Sequence, residues 1–433
     1  MTKSNPILVR VAALVVLCSQ WLVPTLANAA RDFEFGACIH VGQNMMGHDE
    51  AVMLLQQTKM KSFRDEVLWS RVELAKGELI IPAKLADLDR LVSVTAVEKG
   101  LRPLIILGYG NRLYDSGEPP RTPEARAAFV RYAKFVASRY RRQDVTIEIW
   151  NEWNGGMGSQ KRPRPKGSVT DYLAILETAV PAIKAVAPNA KILAGATAHI
   201  DLDWSVEFAQ RGGLALVDGF SIHPYNYNHP QRSTAEDAIV GLQNLQRQMA
   251  AAAGVAEVPF YLTEMGVPSR GSAFGDDESK IAAYAARFIL LARAQPFIRG
   301  VWWYELRDGG FGSNNPEMNF GIYDKNRAPK AISPLFSQLA EIVMEGRDFV
   351  TTTNSGITSV TWTDVLGGKL MAAWGIKRRE NIPGGLLSYM GQLGDTRTTV
   401  SGTARPSTLS FPWGDETPSL WTVVEVGAGK LVE

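Results

Sequence analysis

The stretch "TIEIWNEWN" (residues 146–154) begins as a β-strand and ends with a carboxylate set between tryptophans. Its first half is a short run of β-branched and apolar residues, which is typical of a buried strand. A glutamate at the end of such a strand is costly to bury unless it is paired or used in chemistry. Glu152 therefore implies a partner elsewhere in the chain, and the arrangement of the other strands decides which residue that is.

Eight short strand-like runs alternate with amphipathic stretches between residues 35 and 345. The runs cover residues 35–40, 61–66, 103–110, 145–151, 191–196, 218–223, 259–264 and 300–305. Helical patterns lie between them, and one of these has Thr122 as a candidate N-cap with Pro123 in the turn that follows. Eight strand–helix units in succession predict an α/β fold, a (β/α)8 TIM barrel.

A doubly wound open sheet also alternates strands and helices, and it is the alternative architecture. Such a sheet usually carries a glycine-rich phosphate loop between its first strand and helix. The nearest candidate, "GYGNRL" (residues 108–113), has two of the three glycines and no helical pattern directly after it. The barrel is therefore the favoured prediction.

The pattern of residue types changes after residue 345. Stretches such as "FVTTTNSGITSVTWTD" and "PSLWTVVEV" are alternating and β-branched, and glycine, asparagine and proline separate them. This pattern predicts a small antiparallel β domain. We expect a barrel over residues 30–345 and a β-sandwich-like accessory domain over residues 346–433.

The first 29 residues have the features of a secretory signal peptide. Lys3 and Arg10 accompany the apolar run "VAALVVLCSQWLVPTLA", and "ANA" at residues 27–29 supplies the small residues of a cleavage site. We therefore expect an exported protein, periplasmic or extracellular, with no membrane span after cleavage. Cys38 is the one cysteine outside this segment, so no intrachain disulfide is expected.

Charge composition argues against a nucleic-acid partner. Lys3 and Arg10 are the only charged residues in the first 29, so the processed chain balances 44 basic against 44 acidic residues. A nucleic-acid-binding protein would carry an excess of basic residues on one face. A monomer that binds a carbohydrate is the expected state.

Two strand-end carboxylates are the candidates for catalysis, because reactive groups of such barrels lie at the carboxyl ends of the strands. Glu152 ends the fourth predicted strand and Glu264 ends the seventh, and these strands face each other across the barrel mouth. A pair about 5–5.5 Å apart suits double displacement at a sugar carbon, and a separation of roughly 6.5–9.5 Å suits direct attack by water. The sequence leaves this spacing open.

The motifs "IWNEWN" and "YLTEMGVP" resemble the fourth-strand and seventh-strand signatures of clan A glycoside hydrolases. The resemblance extends over the barrel and includes Arg64, the segment "HPYNY" (residues 223–227) and an aromatic eighth strand. Within the clan the sequence is most similar to the family-five and family-thirty-nine branches. Some bacterial members of these branches act on exopolysaccharides.

The resemblance implies roles for individual residues. Glu152 corresponds to the acid/base and Glu264 to the nucleophile of a retaining glycosidase that acts on a β-linked polysaccharide or oligosaccharide. Asn151 would bond the sugar 2-hydroxyl, Arg64 and Tyr225 would hold Glu264, and His223 would line the same floor. The further candidates for contact with the substrate are His40, Trp69, Tyr109, Asn111, Trp153, His199, Trp302 and Tyr304.

The eighth strand departs from the clan pattern. The clan usually places a tryptophan four residues before an acid on this strand. Counting back from Asp308 gives Tyr304 here, with Trp302 and Trp303 before it. This difference concerns the platform beneath the reacting sugar and hence the identity of that sugar.

Other functions on the same barrel are less favoured. A non-catalytic glycan-binding protein is the main alternative, but a degenerate barrel usually loses one carboxylate of the pair. The five histidines show no metal-ligand spacing, no lysine ends a strand as a Schiff base requires, and no GxSxG elbow is present. We therefore expect neither a metal nor a cofactor.

Overall fold

The computed structural model describes residues 33–272, 274, 277–310, 315–354, 357–374 and 422–426. The predicted signal peptide, residues 1–29, lies outside this part of the chain. The strands are, in chain order, β1 (Glu34–Cys38), β2 (Ser62–Leu68), β3 (Glu73–Ala75), β4 (Glu78–Leu79), β5 (Arg102–Gly108), β6 (Thr146–Ile149), β7 (Lys191–Ala198), β8 (Gly219–His223), β9 (Phe260–Met265), β10 (Ile298–Trp303), β11 (Arg347–Asn354), β12 (Ile357–Thr363), β13 (Lys369–Trp374) and β14 (Thr422–Val426).

The helices follow the barrel strands on the outside. They are α1 (His48–Gln57), α2 (Trp69–Val72), α3 (Ala86–Arg90), α4 (Ala96–Lys99), α5 (Pro123–Arg139), α6 (Val169–Val186), α7 (Leu202–Gln210), α8 (Ala235–Ala253), α9 (Glu278–Ala294) and α10 (Ser333–Glu345). A π-helical segment, Leu91–Thr95, joins α3 to α4. Among the helices described, none combines the length and apolar character that a membrane crossing needs.

Eight strands close into a parallel barrel in the order β1, β10, β9, β8, β7, β6, β5, β2. Closure is made by β1, which pairs with β10 on one side and with β2 on the other. Each of the eight predicted strands overlaps one of these barrel strands. The predicted (β/α)8 barrel is therefore confirmed.

The helices begin where the sequence provides side-chain caps. Thr122 accepts a hydrogen bond from the backbone N–H of Ala125 at the start of α5, as predicted. Thr234 and Asp237 form a reciprocal capping box at the start of α8. These caps set where each loop at the barrel mouth ends, and so they position the loops that form the site.

Two layers of packing support the barrel. The larger core lies between the strands and the surrounding helices. A smaller cluster fills the barrel interior and includes Leu104, Ile106, Leu193, Tyr261 and Trp302. Because successive residues of a strand face opposite sides, these side chains share the inner face with the residues that reach the barrel mouth.

A four-stranded antiparallel sheet follows the barrel, in the order β11, β12, β13, β14. The last barrel helix ends at Glu345 and β11 begins at Arg347. The sheet confirms the predicted antiparallel C-terminal element, whereas most of residues 375–433 lie outside the described part of the chain. Trp362 and Trp374 are buried, in agreement with a packing role.

Candidate active site

A cleft at the carboxyl ends of the barrel strands is the candidate active site. Its volume is about 970 Å³, near the upper end of the roughly 300–1,000 Å³ typical of small-molecule sites. Loops after several strands form its walls. Its lining comprises His40, Gln43, Arg64, Glu66, Ile106, Tyr109, Asn151, Glu152, Met157, Arg164, Ala198, His199, Tyr225, Asn226, Tyr227, Asn228, His229, Pro230, Glu264, Tyr304, Glu317 and Phe320.

The two predicted carboxylates face each other in this cleft. Glu152 follows β6, Glu264 lies near the end of β9, and His223 ends β8 between them. One oxygen of each carboxylate and a ring nitrogen of His223 all lie within 4.8 Å of one another. Both carboxylates remain partly accessible, since their side chains are 20% and 12% exposed.

The turn after β6 explains why Glu152 stands between tryptophans. Trp150 and Glu152 have positive φ angles of 70° and 49°, so the chain folds back immediately after the strand. Trp150 donates to the carbonyl of Met157, and Trp153 donates to the carbonyl of Ser168, each at 2.9 Å. The two indoles, 5.1 Å apart between centroids, pack edge to face beneath the loop. This support leaves the carboxylate of Glu152 facing the cleft.

Arg64 connects the floor of the cleft to Glu264. Its Nη1 lies 2.5 Å from Glu264 Oε1, its Nε donates to Glu148 at 2.8 Å, and its Nη2 donates to Asn151 Oδ1 at 2.7 Å. Burial alone would lower the pKa of Arg64, but Glu148 and Glu264 together raise it above its usual value. The guanidinium is therefore a fixed positive charge beside Glu264.

Tyr225 gives Glu264 a second hydrogen-bond donor. The phenol O–H donates to Glu264 Oε2 at 3.0 Å. Burial raises the pKa of Tyr225 well above its usual value, so the phenol keeps its proton. Glu264 thus receives one donor on each oxygen, and these two contacts orient its carboxylate.

His223 contacts both carboxylates from the barrel floor. Its Nδ1 lies 3.1 Å from Glu152 Oε1 and 3.6 Å from Glu264 Oε2. Its Nε2 lies 3.2 Å from Thr263 Oγ1 and faces the guanidinium of Arg64. Since a guanidinium can only donate, we assign the ring proton to Nδ1. His223 therefore donates toward Glu152.

The environment of Glu152 combines opposing effects on its pKa. Burial raises the pKa of this carboxyl, but the hydrogen bond and electrostatic attraction of His223, with smaller contributions from His199 and Arg64, outweigh burial. The pKa of Glu152 consequently lies below its ordinary value when the cleft holds only solvent. Any group that covers Glu152 adds to burial and raises this pKa.

Asn151 and Tyr109 lie side by side on the cleft floor. Asn151 Nδ2 donates to the Tyr109 hydroxyl at 3.0 Å, while its Oδ1 accepts from Arg64. Burial raises the pKa of Tyr109, so this hydroxyl is also protonated. The predicted residue His199 lines the cleft from the loop after β7, where its Nδ1 lies 3.1 Å from the carbonyl oxygen of Tyr225.

His40 and Tyr304 form the wall near β1 and β10. His40 Nε2 lies 3.0 Å from Glu305 Oε2. Burial alone would lower the pKa of His40, but Glu305 raises it to about 9. Tyr304, which stands where the clan usually has tryptophan, lines the cleft and packs edge to face against His40, Tyr225 and Phe320.

Four residues predicted to contact substrate do not line the cleft. Trp69 is fully buried among Tyr114, Phe129 and Tyr132, because it begins α2 and turns outward. Asn111 donates to the carbonyl of Glu73 and stabilises a loop. These two predictions are corrected to structural roles.

The two remaining corrections concern tryptophans. Trp153 is buried beneath the loop that follows β6, against Trp150 and Tyr172. Trp302 lies inside the barrel, where its Nε1 donates to Ser62 Oγ at 2.9 Å. Both lie below the cleft rather than on its walls, because the indole of each points into the core.

Several cleft residues were missed by sequence reasoning. Glu148 is fully buried within "TIEIWN" and pairs with Arg64 at 2.6 Å. Its signal was present, since a charged residue inside an apolar strand requires a partner. The other missed residues that line the cleft are Glu66, Arg164, His229 and Glu317.

A metal ion is not favoured in this cleft. Glu152, His223 and Glu264 are close enough to offer three ligand atoms. However, Arg64 contacts Glu264, and its positive charge opposes a cation bound at that carboxylate. The arrangement is better suited to acid–base and nucleophilic chemistry than to metal binding.

Two carboxylates this close, at the mouth of a (β/α)8 barrel, are the arrangement found in barrel glycoside hydrolases. A family model described as "Cellulase (glycosyl hydrolase family 5)" matches residues 28–303. The chain belongs to glycosyl hydrolase family 5, and it is a glycosidase. The predicted resemblance to clan A glycoside hydrolases is thereby confirmed.

Solved structures with the same fold include three glycosidases. A family 39 glycoside hydrolase from Bacteroides cellulosilyticus WH2 has a TM-score of 0.65 and 24% identity over 80% of this chain and 71% of that chain. A monomeric β-xylosidase from Caulobacter crescentus CB15 has a TM-score of 0.55 and 16% identity over 77% and 73% of the two chains. An exo-β-1,4-mannosidase from Opitutaceae bacterium strain TAV5 has a TM-score of 0.55 and 18% identity over 74% and 61%.

These similarities establish the fold. A comparison with curated protein sequences gives no match.

Proposed function

We propose that the enzyme hydrolyses a β-linked polysaccharide or oligosaccharide by double displacement, with retention of anomeric configuration. The spacing of the two carboxylates carries this proposal. Oxygens of Glu152 and Glu264 lie within 4.8 Å of each other, which is close to the roughly 5–5.5 Å of retaining enzymes and short of the 6.5–9.5 Å of inverting ones.

Glu264 is the nucleophile in this mechanism. Arg64 and Tyr225 hold one oxygen each, so the carboxylate is oriented before the sugar arrives. Its oxygen attacks the anomeric carbon and the bond to the leaving oxygen breaks. The product of this step is a glycosyl-enzyme ester on Glu264.

Glu152 is the acid in the first step and the base in the second. Its lowered pKa in the open cleft favours the ionised form, and a bound glycan that displaces water raises that pKa and favours the proton. The protonated carboxyl gives its proton to the leaving oxygen. In the second step Glu152 takes a proton from water, which then attacks the ester.

Support for a β-linked substrate comes from the cleft and from similar folds. The cleft is large enough for more than one sugar and has Tyr109, Tyr225, Tyr304 and Phe320 on its walls. The β-xylosidase and the exo-β-1,4-mannosidase with this fold act on β-linked sugars by their descriptions. A bacterial exopolysaccharide is the case that the resemblance to the clan suggests.

Export and a monomeric state belong to the same proposal. The apolar N-terminal segment and its "ANA" ending support export to the periplasm or the exterior. The description of the β-xylosidase as monomeric supports a monomer. Secretion of the full chain with cleavage before Ala30, followed by sedimentation of the processed protein, would test both.

The mechanism is tested by replacing each carboxylate with alanine and adding azide. Glu152→Ala should hydrolyse the natural glycan about 10²–10⁴-fold more slowly, yet it should still form the glycosyl-enzyme from an activated aryl glycoside. Azide needs no general base, so it should restore turnover and yield the β-glycosyl azide. Glu264→Ala with azide should yield the α-azide by direct attack from the opposite face.

A control variant and the following outcomes distinguish a catalytic role of Glu152 from a structural one. Exposed Glu177 on α6 provides a control, and Glu177→Ala should behave like the parent enzyme. If Glu152→Ala slows activated and natural substrates equally and azide rescues neither, Glu152 is structural. A product of inverted configuration from the parent enzyme would exclude double displacement.

A further inference from the structure

His40 lies on the wall of the cleft near β1 and β2, and its Nε2 lies 3.0 Å from Glu305 Oε2. Asp65, Glu66 and Glu305 each raise the pKa of His40, and we call these four residues the rim cluster. Asp65 accepts hydrogen bonds from the backbone of Gly42 and Glu66. The negative charges exceed the positive charge of His40, and burial with the adjacent Glu66 raises the pKa of Asp65 to about 7.

Glu66 is the member of the rim cluster that faces the cleft with an unused acceptor. Its side chain is 6% exposed and lines the cleft. Its Oε1 has no hydrogen-bond partner among the described residues. A buried carboxylate oxygen normally has a hydrogen-bond donor, and Glu66 is part of the lining of a ligand cleft. This combination points to a donor on the ligand.

The distance between Glu66 and the proposed nucleophile Glu264 is suitable for one sugar ring. Glu66 lies two residues beyond Arg64 on the same inner face of β2, toward the mouth, which corresponds to about 7 Å along the strand. Arg64 itself contacts Glu264. A sugar whose anomeric carbon lies at Glu264 therefore extends its far edge, with the ring hydroxyls, toward Glu66.

We propose that Glu66 accepts a hydrogen bond from a hydroxyl on the far edge of the sugar that bonds to Glu264, and so selects a neutral sugar over a uronic acid. This inference rests on the proposed function, because it assumes that Glu264 holds the anomeric carbon. A neutral sugar supplies the missing donor. A uronate would bring a further negative charge against Glu66 and its acidic neighbours.

The test uses Glu66→Gln, which keeps the shape of the side chain and removes its charge. The probes are 2,4-dinitrophenyl β-glycosides of glucose, mannose, xylose and the disaccharides cellobiose and mannobiose, with 3-, 4- and 6-deoxy versions of the best one. On the best substrate kcat/KM should fall about 10- to 100-fold, since a charge-assisted hydrogen bond is weakened. On the one deoxy substrate that lacks the bonded hydroxyl, parent and variant should be equally active.

Two further measurements complete the test. The parent enzyme should not cleave the β-glucuronide, whereas Glu66→Gln should gain activity on it. The variant should also melt at the same temperature as the parent or higher, because it removes a repelling charge from the rim cluster. Glu98→Gln, at an exposed position of α4, removes one charge elsewhere and should change none of these properties.

The possible failures are distinguishable. Equal losses on every deoxy substrate with a lower melting temperature would mean that Glu66 has a structural role, and unchanged kinetics would mean that it does not contact the sugar. Either result overturns the inference and leaves the mechanism intact. If the parent enzyme forms no glycosyl-enzyme with any glycoside, the proposed function fails. In that case the melting temperature still tests the inference. A lower melting temperature of Glu66→Gln would show that the Glu66 carboxylate already has a stabilising partner within the protein.

Discussion

At the scale of single residues, the proposed nucleophile Glu264 depends on a carboxylate that it does not touch. Glu148 is fully buried in β6 and pairs with Arg64, which in turn contacts Glu264. A buried ion pair is a weak source of stability, but the loss of one partner leaves an uncompensated charge. Glu148 therefore both retains Arg64 and fixes the direction of its guanidinium.

The first prediction concerns this pair. Glu148→Gln should lower the free energy of unfolding by about 3–5 kcal/mol, measured by urea denaturation. It should also reduce kcat more than it raises KM, because Arg64 would no longer be held in place to orient Glu264. Glu177→Gln, on the exposed surface of α6, is the matched control. A variant that is destabilised but has normal kcat would contradict the positioning role.

The second prediction concerns pH. His223 lowers the pKa of Glu152, and the alkaline limb of kcat/KM reports the acid of the free enzyme. His223→Ala removes the donor, so the pKa of Glu152 should rise and the alkaline limb should move to higher pH. His223→Asn offers an amide N–H in place of Nδ1 and should move the limb part of the way back. An alkaline limb that does not move would assign it to another group.

The position of the two candidate carboxylates in the cleft could be predicted from sequence because strand ends are recognisable, but side-chain direction could not. Glu152 and Glu264 were placed in the cleft by their positions after β6 and within β9. Trp69 follows β2 in the same manner, yet it turns into an aromatic cluster. Trp302 and Tyr304 lie on the same face of one segment. Trp302 fills the barrel interior, whereas Tyr304 lines the cleft, because Trp302 lies deeper along the barrel axis.

At the scale of elements, the loop between β8 and α8 forms one wall of the cleft and is fixed at its far end. Asn226 Nδ2 donates to the carbonyls of Arg232 and Thr234. Thr234 is the N-cap of α8 and forms the capping box with Asp237. The cap therefore supports both the helix and a wall that includes Tyr225 and Tyr227.

The third prediction follows from this arrangement. Thr234→Ala should lower the free energy of unfolding by about 1 kcal/mol, as the loss of an N-cap usually does, and it should raise KM because the wall loosens. Thr122→Ala removes the cap of α5, which lies outside the cleft. It should have a similar effect on unfolding with an unchanged KM. If Thr234→Ala and Thr122→Ala have equal KM values, the cap of α8 does not hold the cleft wall in place.

Elements were predictable to different degrees. The barrel strands were recognised because apolar runs of strand length recur between helical patterns, even for β2, which contains Arg64, Asp65 and Glu66. The β3–β4 hairpin was not predicted, because its strands are three and two residues long and carry no periodic signal. Short elements of this kind are set by their contacts with neighbouring loops.

At the scale of the whole molecule, the C-terminal sheet is attached to the barrel through α8 and α9. Trp374 Nε1 donates to Glu236 Oε1 at 2.6 Å, and Arg287 packs 5.7 Å from the centroid of the Trp374 ring. Arg293 lies 4.6 Å from the ring centroid of Phe349 and donates to the carbonyl of Val343. None of these residues lines the cleft.

The fourth prediction separates this contact from catalysis. Trp374→Ala removes a buried indole and should lower the free energy of unfolding by about 3–5 kcal/mol, with kcat/KM unchanged on an aryl glycoside. Exposed Leu366, in the turn between β12 and β13, gives a control variant, Leu366→Ala, that should leave both quantities unchanged. A loss of activity without a loss of stability would instead connect the sheet to the substrate.

The rate at which the buried thiol of Cys38 reacts with a reagent measures how often the barrel opens. In the chain without residues 1–29 it is the only cysteine. It is 2% exposed in β1, and burial raises the pKa of its thiol. A thiol reagent can therefore react only during excursions that open the barrel, so the labelling rate should increase with urea and decrease when a covalent glycosyl-enzyme forms. Rapid labelling that is independent of urea would reveal that β1 detaches while the remaining barrel stays closed.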